Sequence, residues 1–138
     1  MSEPLYDEVR NWLRKAQHDL ASARKLSQRP DPYLDTAVYH CQQAAEKAVK
    51  GFLTLHENRF ERTHDVEVLV SLAAGIEPRF AQWVGAGQML TPYAAIYRYP
   101  GDMLEPDPAE FDEALQMAEG LVAFVLSVLP EEVQPEGT

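Results

Sequence analysis

A chain of 138 residues, 46% hydrophobic and 25% charged, has the size and composition of one globular domain with a core of its own. One cysteine, Cys41, excludes an internal disulfide, and the longest apolar run, LVAFVLSVL at 121–129, falls far short of the roughly 20 residues that span a bilayer. The net charge of −10 argues against non-specific binding to DNA, whose phosphates it repels.

That charge is unevenly placed. Residues 1–98 carry all 12 Lys and Arg together with 12 Asp and Glu, whereas residues 99–138 carry the other 10 acids and no Lys or Arg. A basic cleft in the first part and an acidic surface in the second are therefore both open. The chain opens on no basic-then-apolar leader, which together with the lone cysteine sets the expectation of a cytoplasmic protein without membrane contact.

The elements read as helices throughout, with no convincing strand. From about Tyr6 to Leu26, Val9, Trp12, Leu13, Ala16, Leu20 and Ala23 recur at helical spacing. RPDP at 29–32 ends this helix and begins a second, from about Tyr33 to His56, whose stripe is Ala37, Cys41, Ala44, Ala48, Phe52 and Leu55. The small residues at its middle invite close approach of a neighbour. Thr63 is the expected N-cap of a third helix, with Asp65 favouring its positive end and Gly75 stopping it. A fourth helix is expected over 78–97, kinked or broken near 89–91 by Pro92. After a loop at 98–108, Asp107, Pro108 and Glu110 form a capping-box pattern for a fifth helix running to about Leu129. Its last turns are apolar in nearly every direction, which predicts burial on both sides, one of them against a second subunit. Residues 131–138 are polar and proline-bearing and are expected to form a disordered acidic tail beyond a domain at 1–130. The fold class is all-α: an antiparallel bundle of four long helices plus a short one.

One stretch stands out within this pattern. In YHCQQAAEKAVKGFL at 39–53, His40, Gln43, Lys47 and Lys50 make a polar stripe beside the apolar one, and Glu46 stands four residues before Lys50, within pairing reach. Spacing leaves two readings open: a solvated helix face, or a cationic, amide-bearing strip for a phosphate. No glycine-rich phosphate loop, His-x-x-x-His or Cys-x-x-Cys pattern is present, so no cofactor and no metal are expected. Cys41 lies on the apolar stripe and reads as packing. His64 either belongs to a site or only helps to cap the third helix.

The segments WLRKAQHDLASA at 12–23, YHCQQAAEKAVKGFL at 39–53, THDVEVL at 63–69 and LTPYAAIYRYPG at 90–101 together resemble the HEPN family (higher eukaryote and prokaryote nucleotide-binding), in its small prokaryotic single-domain branch. The resemblance implies a bundle akin to the C-terminal domain of kanamycin nucleotidyltransferase, a homodimer, and association with a separately encoded minimal nucleotidyltransferase. It also raises the ligand-binding reading of Gln43, Glu46, Lys47 and Lys50, of His64 and Asp65, and of Arg98 and Tyr99. Pro100 stops the chain from continuing as helix, which leaves Arg98 free to clamp a phosphate and Tyr97 or Tyr99 to stack on a base.

In one respect the chain departs from the pattern. Many members of the family are ribonucleases that use an Arg followed four to six residues later by His, but no histidine follows Arg98. Arg59 and His64 have that spacing, yet they straddle the expected turn before the third helix, and the match reads as accidental. The resemblance with this departure therefore favours a non-catalytic or weakly catalytic nucleotide-binding dimer working with a nucleotidyltransferase partner. The alternatives are a ribonuclease of a toxin–antitoxin pair with a substitute for the missing histidine, and a purely structural dimer.

Overall fold

The computed structural model describes residues 3–100 and 105–135. Two long helices open it, α1 (Glu3–Leu26) and α2 (Leu34–Leu55). The stripe of α1 is buried at Val9, Leu13, Ala16, Leu20 and Ala23, and the small residues of α2 let it lie close. At Gly51 a Cβ atom would come within 3.2 Å of Trp12 Cβ and 3.3 Å of Leu13 Cδ2, so only glycine fits there without displacement. Leu13 meets Gly51 near the end of α2 while Asp19 reaches His40 and Lys47 further back, so the two helices run antiparallel.

The third helix, α3 (Val66–Ala74), is capped by Asp65, whose carboxylate accepts from Val68 N at 3.0 Å. Thr63, the expected cap, stands two residues too early, and its hydroxyl accepts from Asp65 N at 3.0 Å. The segment expected as a fourth long helix forms in three pieces. A 3₁₀ turn, Pro78–Trp83, leads into the short helix α4 (Val84–Leu90), and a second 3₁₀ turn, Thr91–Ala94, follows. The break falls where Pro92 withdraws the N–H that would have continued the α pattern. Thr91 Oγ1 donates to Gly87 O at 2.7 Å and accepts from Val66 N at 3.0 Å, which ties α4 to the start of α3.

The last helix, α5 (Pro108–Ser127), starts as the capping pattern predicts, with Asp107 accepting from Glu110 N at 2.8 Å. The reciprocal half of the box is absent, because the Glu110 side chain turns away to two tyrosines. Leu121, Val122 and Val125 are buried, and Phe124 packs edge-on against Phe80 and near Trp83, with ring centroids 4.9 and 5.9 Å away. Most of the apolar circumference of α5 is thus covered within this chain, and among its last turns the exposed positions are Ala123 and the polar Ser127.

Residues 131–135 also depart from expectation. Glu131–Val133 form a 3₁₀ turn, Val133 is fully buried, and Gln134 Nε2 donates to Leu126 O and Leu129 O at 2.8 and 3.1 Å. Arg10 donates to Glu132 O, fastening the turn to α1. One apolar side chain and these backbone contacts hold a stretch whose composition alone suggests disorder. Residues 136–138, the rest of that expected tail, lie outside the described residues. Among those described, all regular structure is helical, and no helix is long and apolar enough to cross a membrane.

Candidate functional site

The polar stripe of α2 faces α1 and the loop before α3, and there it finds two buried carboxylates. Asp19, only 5% exposed, stands on the buried face of α1. Its Oδ1 lies 2.8 Å from His40 Nδ1 and its Oδ2 accepts from Lys47 Nζ at 2.8 Å. One turn further along, Glu46, 3% exposed, accepts from Lys50 Nζ at 2.8 Å and from Gln42 Nε2 at 3.0 Å, and its Oε1 is 2.9 Å from His64 Nδ1. Gln43 Nε2 donates to Gln42 Oε1 at 2.8 Å, and Gln42 Nε2 also reaches His64 O at 2.8 Å.

This network fixes the loop before α3 onto α2. Burial pushes the Glu46 carboxyl up, but the hydrogen bonds from Lys50, His64 and Gln42, with the charge of Lys50, prevail and hold it below its ordinary value. Lys50 is buried, with Nζ 5.7 and 5.8 Å from the ring centroids of Trp12 and Phe60.

The expected cationic strip therefore carries little free charge. Lys47 and Lys50 each hold a carboxylate, Gln43 and Glu46 lie inside the same network, and Asp65 is occupied as a helix cap. His64 keeps an exposed ring, but its Nδ1 is engaged with Glu46. Each of these six positions is engaged within the protein, within α2, across to α1 or the loop before α3, or as a helix cap.

Arg98 and Tyr99 stand apart from them. Tyr97 has a positive φ of 69°, a left-handed backbone that costs a bulky residue roughly 1–3 kcal/mol unless its surroundings hold it. Here they do. The Tyr97 hydroxyl donates to Glu110 at 3.0 Å, beside Tyr93, whose hydroxyl donates to the same carboxylate at 2.6 Å. Burial and the Glu110 carboxylate both push these phenols above their ordinary range, so they remain protonated donors.

After this reversal Arg98 lies over Tyr39, with its guanidinium carbon 4.3 Å from the ring centroid. Its protein acceptor is Ala94 O at 3.3 Å, and among the described residues it has no carboxylate partner. Tyr99 is 69% exposed, 5.9 Å from the same guanidinium.

Arg98 borders a cavity of about 290 Å³ lined also by Asp35, Thr36, Tyr39, His40 and Tyr97. Of these, the sequence points to Arg98 and Tyr97 individually and to His40 as a member of the α2 polar stripe. His40 was visible in the stripe, and the signal that marks it is Asp19, an acid placed among the buried residues of α1 that requires a partner. The cavity offers a guanidinium with no carboxylate partner among the described residues, an imidazole positioned by a buried carboxylate, two aromatic rings, and an acid with a hydroxyl at its other end. It can hold a small anion with an apolar body. Among the described residues no three His, Cys, Asp or Glu side chains cluster as a metal site. Cys41 is inert by position, its thiol pushed up to about 12 by burial, with Glu119 adding to the effect.

The model of the HEPN domain family matches residues 9–129. The crystal structure of an archaeal HEPN homologue superposes with a TM-score of 0.67 at 27% identity, covering 87% of this chain and 96% of that one. Among curated proteins, none matches the chain.

Proposed function

The chain belongs to the HEPN domain family, and from that premise we propose that it is a nucleotide-binding accessory protein whose site is the cavity under Arg98. Its setting is a homodimer working with a separately encoded minimal nucleotidyltransferase. The observation that carries this reading is Arg98 itself, a guanidinium held over Tyr39 with no carboxylate partner among the described residues, at the rim of a cavity near the low end, about 300 Å³, of small-ligand sites. Stacking covers the face of the guanidinium and leaves the N–H groups beyond the one held by Ala94 O for contact with a phosphate.

The test is calorimetry with common nucleotides at low salt on the wild type and Arg98→Ala. Binding lost in the variant, with a melting temperature almost unchanged, supports the reading, since an exposed arginine adds little to folding. Equal binding by the variant rejects the placement.

In this reading the dimer would form at the groove of about 420 Å³ between α1 and α5, lined by Leu20, Val122 and Leu126. Here the charge pair of Arg24 and Glu119, 2.6 Å apart, marks the polar edge.

A ribonuclease is the second reading, and one observation favours it. His40, backed by Asp19, lines the same cavity as Arg98, which supplies an imidazole for acid–base work that the sequence after Arg98 lacks. Metal-independent cleavage of single-stranded RNA, lost in His40→Ala and retained in His64→Ala, would promote this reading over the first. Absence of cleavage by the wild type removes it.

A further inference from the structure

We infer that the cavity selects a ribose carrying a 5′-phosphate and a free 2′,3′-diol, the phosphate lying at Arg98 and His40 and the diol at Asp35 and Thr36. The inference rests on the reading of this cavity as a nucleotide site and adds what part of the nucleotide it recognises. Its basis is the separation of unlike groups along one helix. Asp35 and Thr36 stand four residues before Tyr39 and His40 on α2, about 6 Å along the axis. That span is comparable with the distance from a phosphate to the diol across a single ribose.

Each end has the chemistry for its part. Arg98 has no carboxylate partner among the described residues, and His40 has its Nδ1 fixed on Asp19, so its other ring nitrogen is the one left for a ligand. At the far end, Asp35 is oriented by its own neighbour, with Oδ1 accepting from Thr36 N at 2.8 Å. Among the described residues Oδ2 has no hydrogen-bond partner. A carboxylate with a free oxygen accepts ribose hydroxyls, and the Thr36 hydroxyl beside it adds a further polar contact. The same carboxylate repels a phosphate, which sets the direction in which a nucleotide enters. The volume admits about one nucleotide unit and no long phosphate chain.

Two sources present this chemistry: a free ribonucleoside 5′-monophosphate and the 3′-terminal nucleotide of an RNA. DNA does not present it, having no 2′-hydroxyl, nor does an internal RNA nucleotide, whose 3′-oxygen is esterified.

The experiment is calorimetry on the full chain with adenosine and cytidine 5′-monophosphates and their 2′,3′-dideoxy counterparts. Short single-stranded RNAs ending in a 3′-terminal diol or a 3′-deoxy sugar form a second arm. Ribo forms should bind at least about tenfold more tightly than dideoxy forms, because a missing hydroxyl leaves the site's polar groups unpaired. Asp35→Asn, which keeps the acceptor for Thr36 N, should bring that ratio close to one, while Arg98→Ala should weaken both forms. Preference for the mononucleotide assigns the free source, and preference for the RNA with a terminal diol over its 3′-deoxy form assigns the RNA end. If ribo and dideoxy forms bind equally well and both depend on Arg98, diol selection is refuted and the nucleotide reading stands. If neither mononucleotide nor RNA binds the wild type, both fall together.

Discussion

Glu46 offers the sharpest test of the interior. Replacing it with Gln keeps the volume and one acceptor oxygen but removes the negative charge that faces Lys50 Nζ at 2.8 Å, with Glu46 3% and Lys50 7% exposed. Breaking one side of a buried pair costs about 3–5 kcal/mol, and the oxygen that Gln retains reduces this to about 2–3 kcal/mol. With an unfolding entropy of about 2 cal/mol/K per residue, that loss corresponds to a fall in Tm of about 7–10 °C, read by calorimetry or circular dichroism. Adding Lys50→Met should recover at least half of the loss, because the unpaired charge leaves with it.

The pH dependence has a definite sign. The carboxyl of Glu46 is held below its ordinary value of 4.5 in the folded state, so its stabilisation is complete above that value. It disappears as pH falls through the folded value, and the gap between wild type and Glu46→Gln should close in acid. A Tm change under about 2 °C, or a double variant no better than the single one, would refute the assignment of Glu46 as the organiser of this network.

Three further outcomes are expected. With its thiol raised to about 12, native Cys41 should react with iodoacetamide at pH 8 about a thousandfold more slowly than after unfolding, as followed by mass spectrometry. Gly87→Ala should cost about 1–3 kcal/mol in denaturant unfolding, since the added Cβ would meet the Glu67 backbone at 2.9 Å, which cannot swing aside as a side chain can. Leu126→Glu, at the half-buried edge of the α1–α5 groove, should shift light scattering from dimer to monomer while preserving the helical spectrum, and a wild type that is monomeric at micromolar concentration removes the dimer.

Periodicity made most of the bundle legible in the sequence. The buried faces of α1 and α2 follow their 3–4 spacing, Pro92 breaks α4 where a missing N–H must, and Asp107 caps α5. Partners that lie far apart in sequence were not legible. Lys47 and Lys50 look like free cations until Asp19 on another helix and Glu46 are seen to hold them, although the Glu46–Lys50 spacing hinted at one half of this. The all-round apolar end of α5 suggested a second subunit, but Phe80 and Trp83 cover part of it from within. The cavity at Arg98 depends on the backbone reversal at Tyr97, which no local pattern announces. Asp19 was the clue available beforehand: an acid among the buried residues of a helix implies a cationic or hydrogen-bonding partner.

The central claim is that the anion site lies under Arg98 and not along the Lys47–Lys50 strip. The most direct measurement is an amide chemical-shift titration of the labelled protein with a ribonucleoside 5′-monophosphate. The account predicts saturable shifts concentrated at residues 35–40 and 97–98, absent in Arg98→Ala. Shifts concentrated at residues 43–50 and 63–66, with 35–40 and 97–98 unmoved, would contradict it.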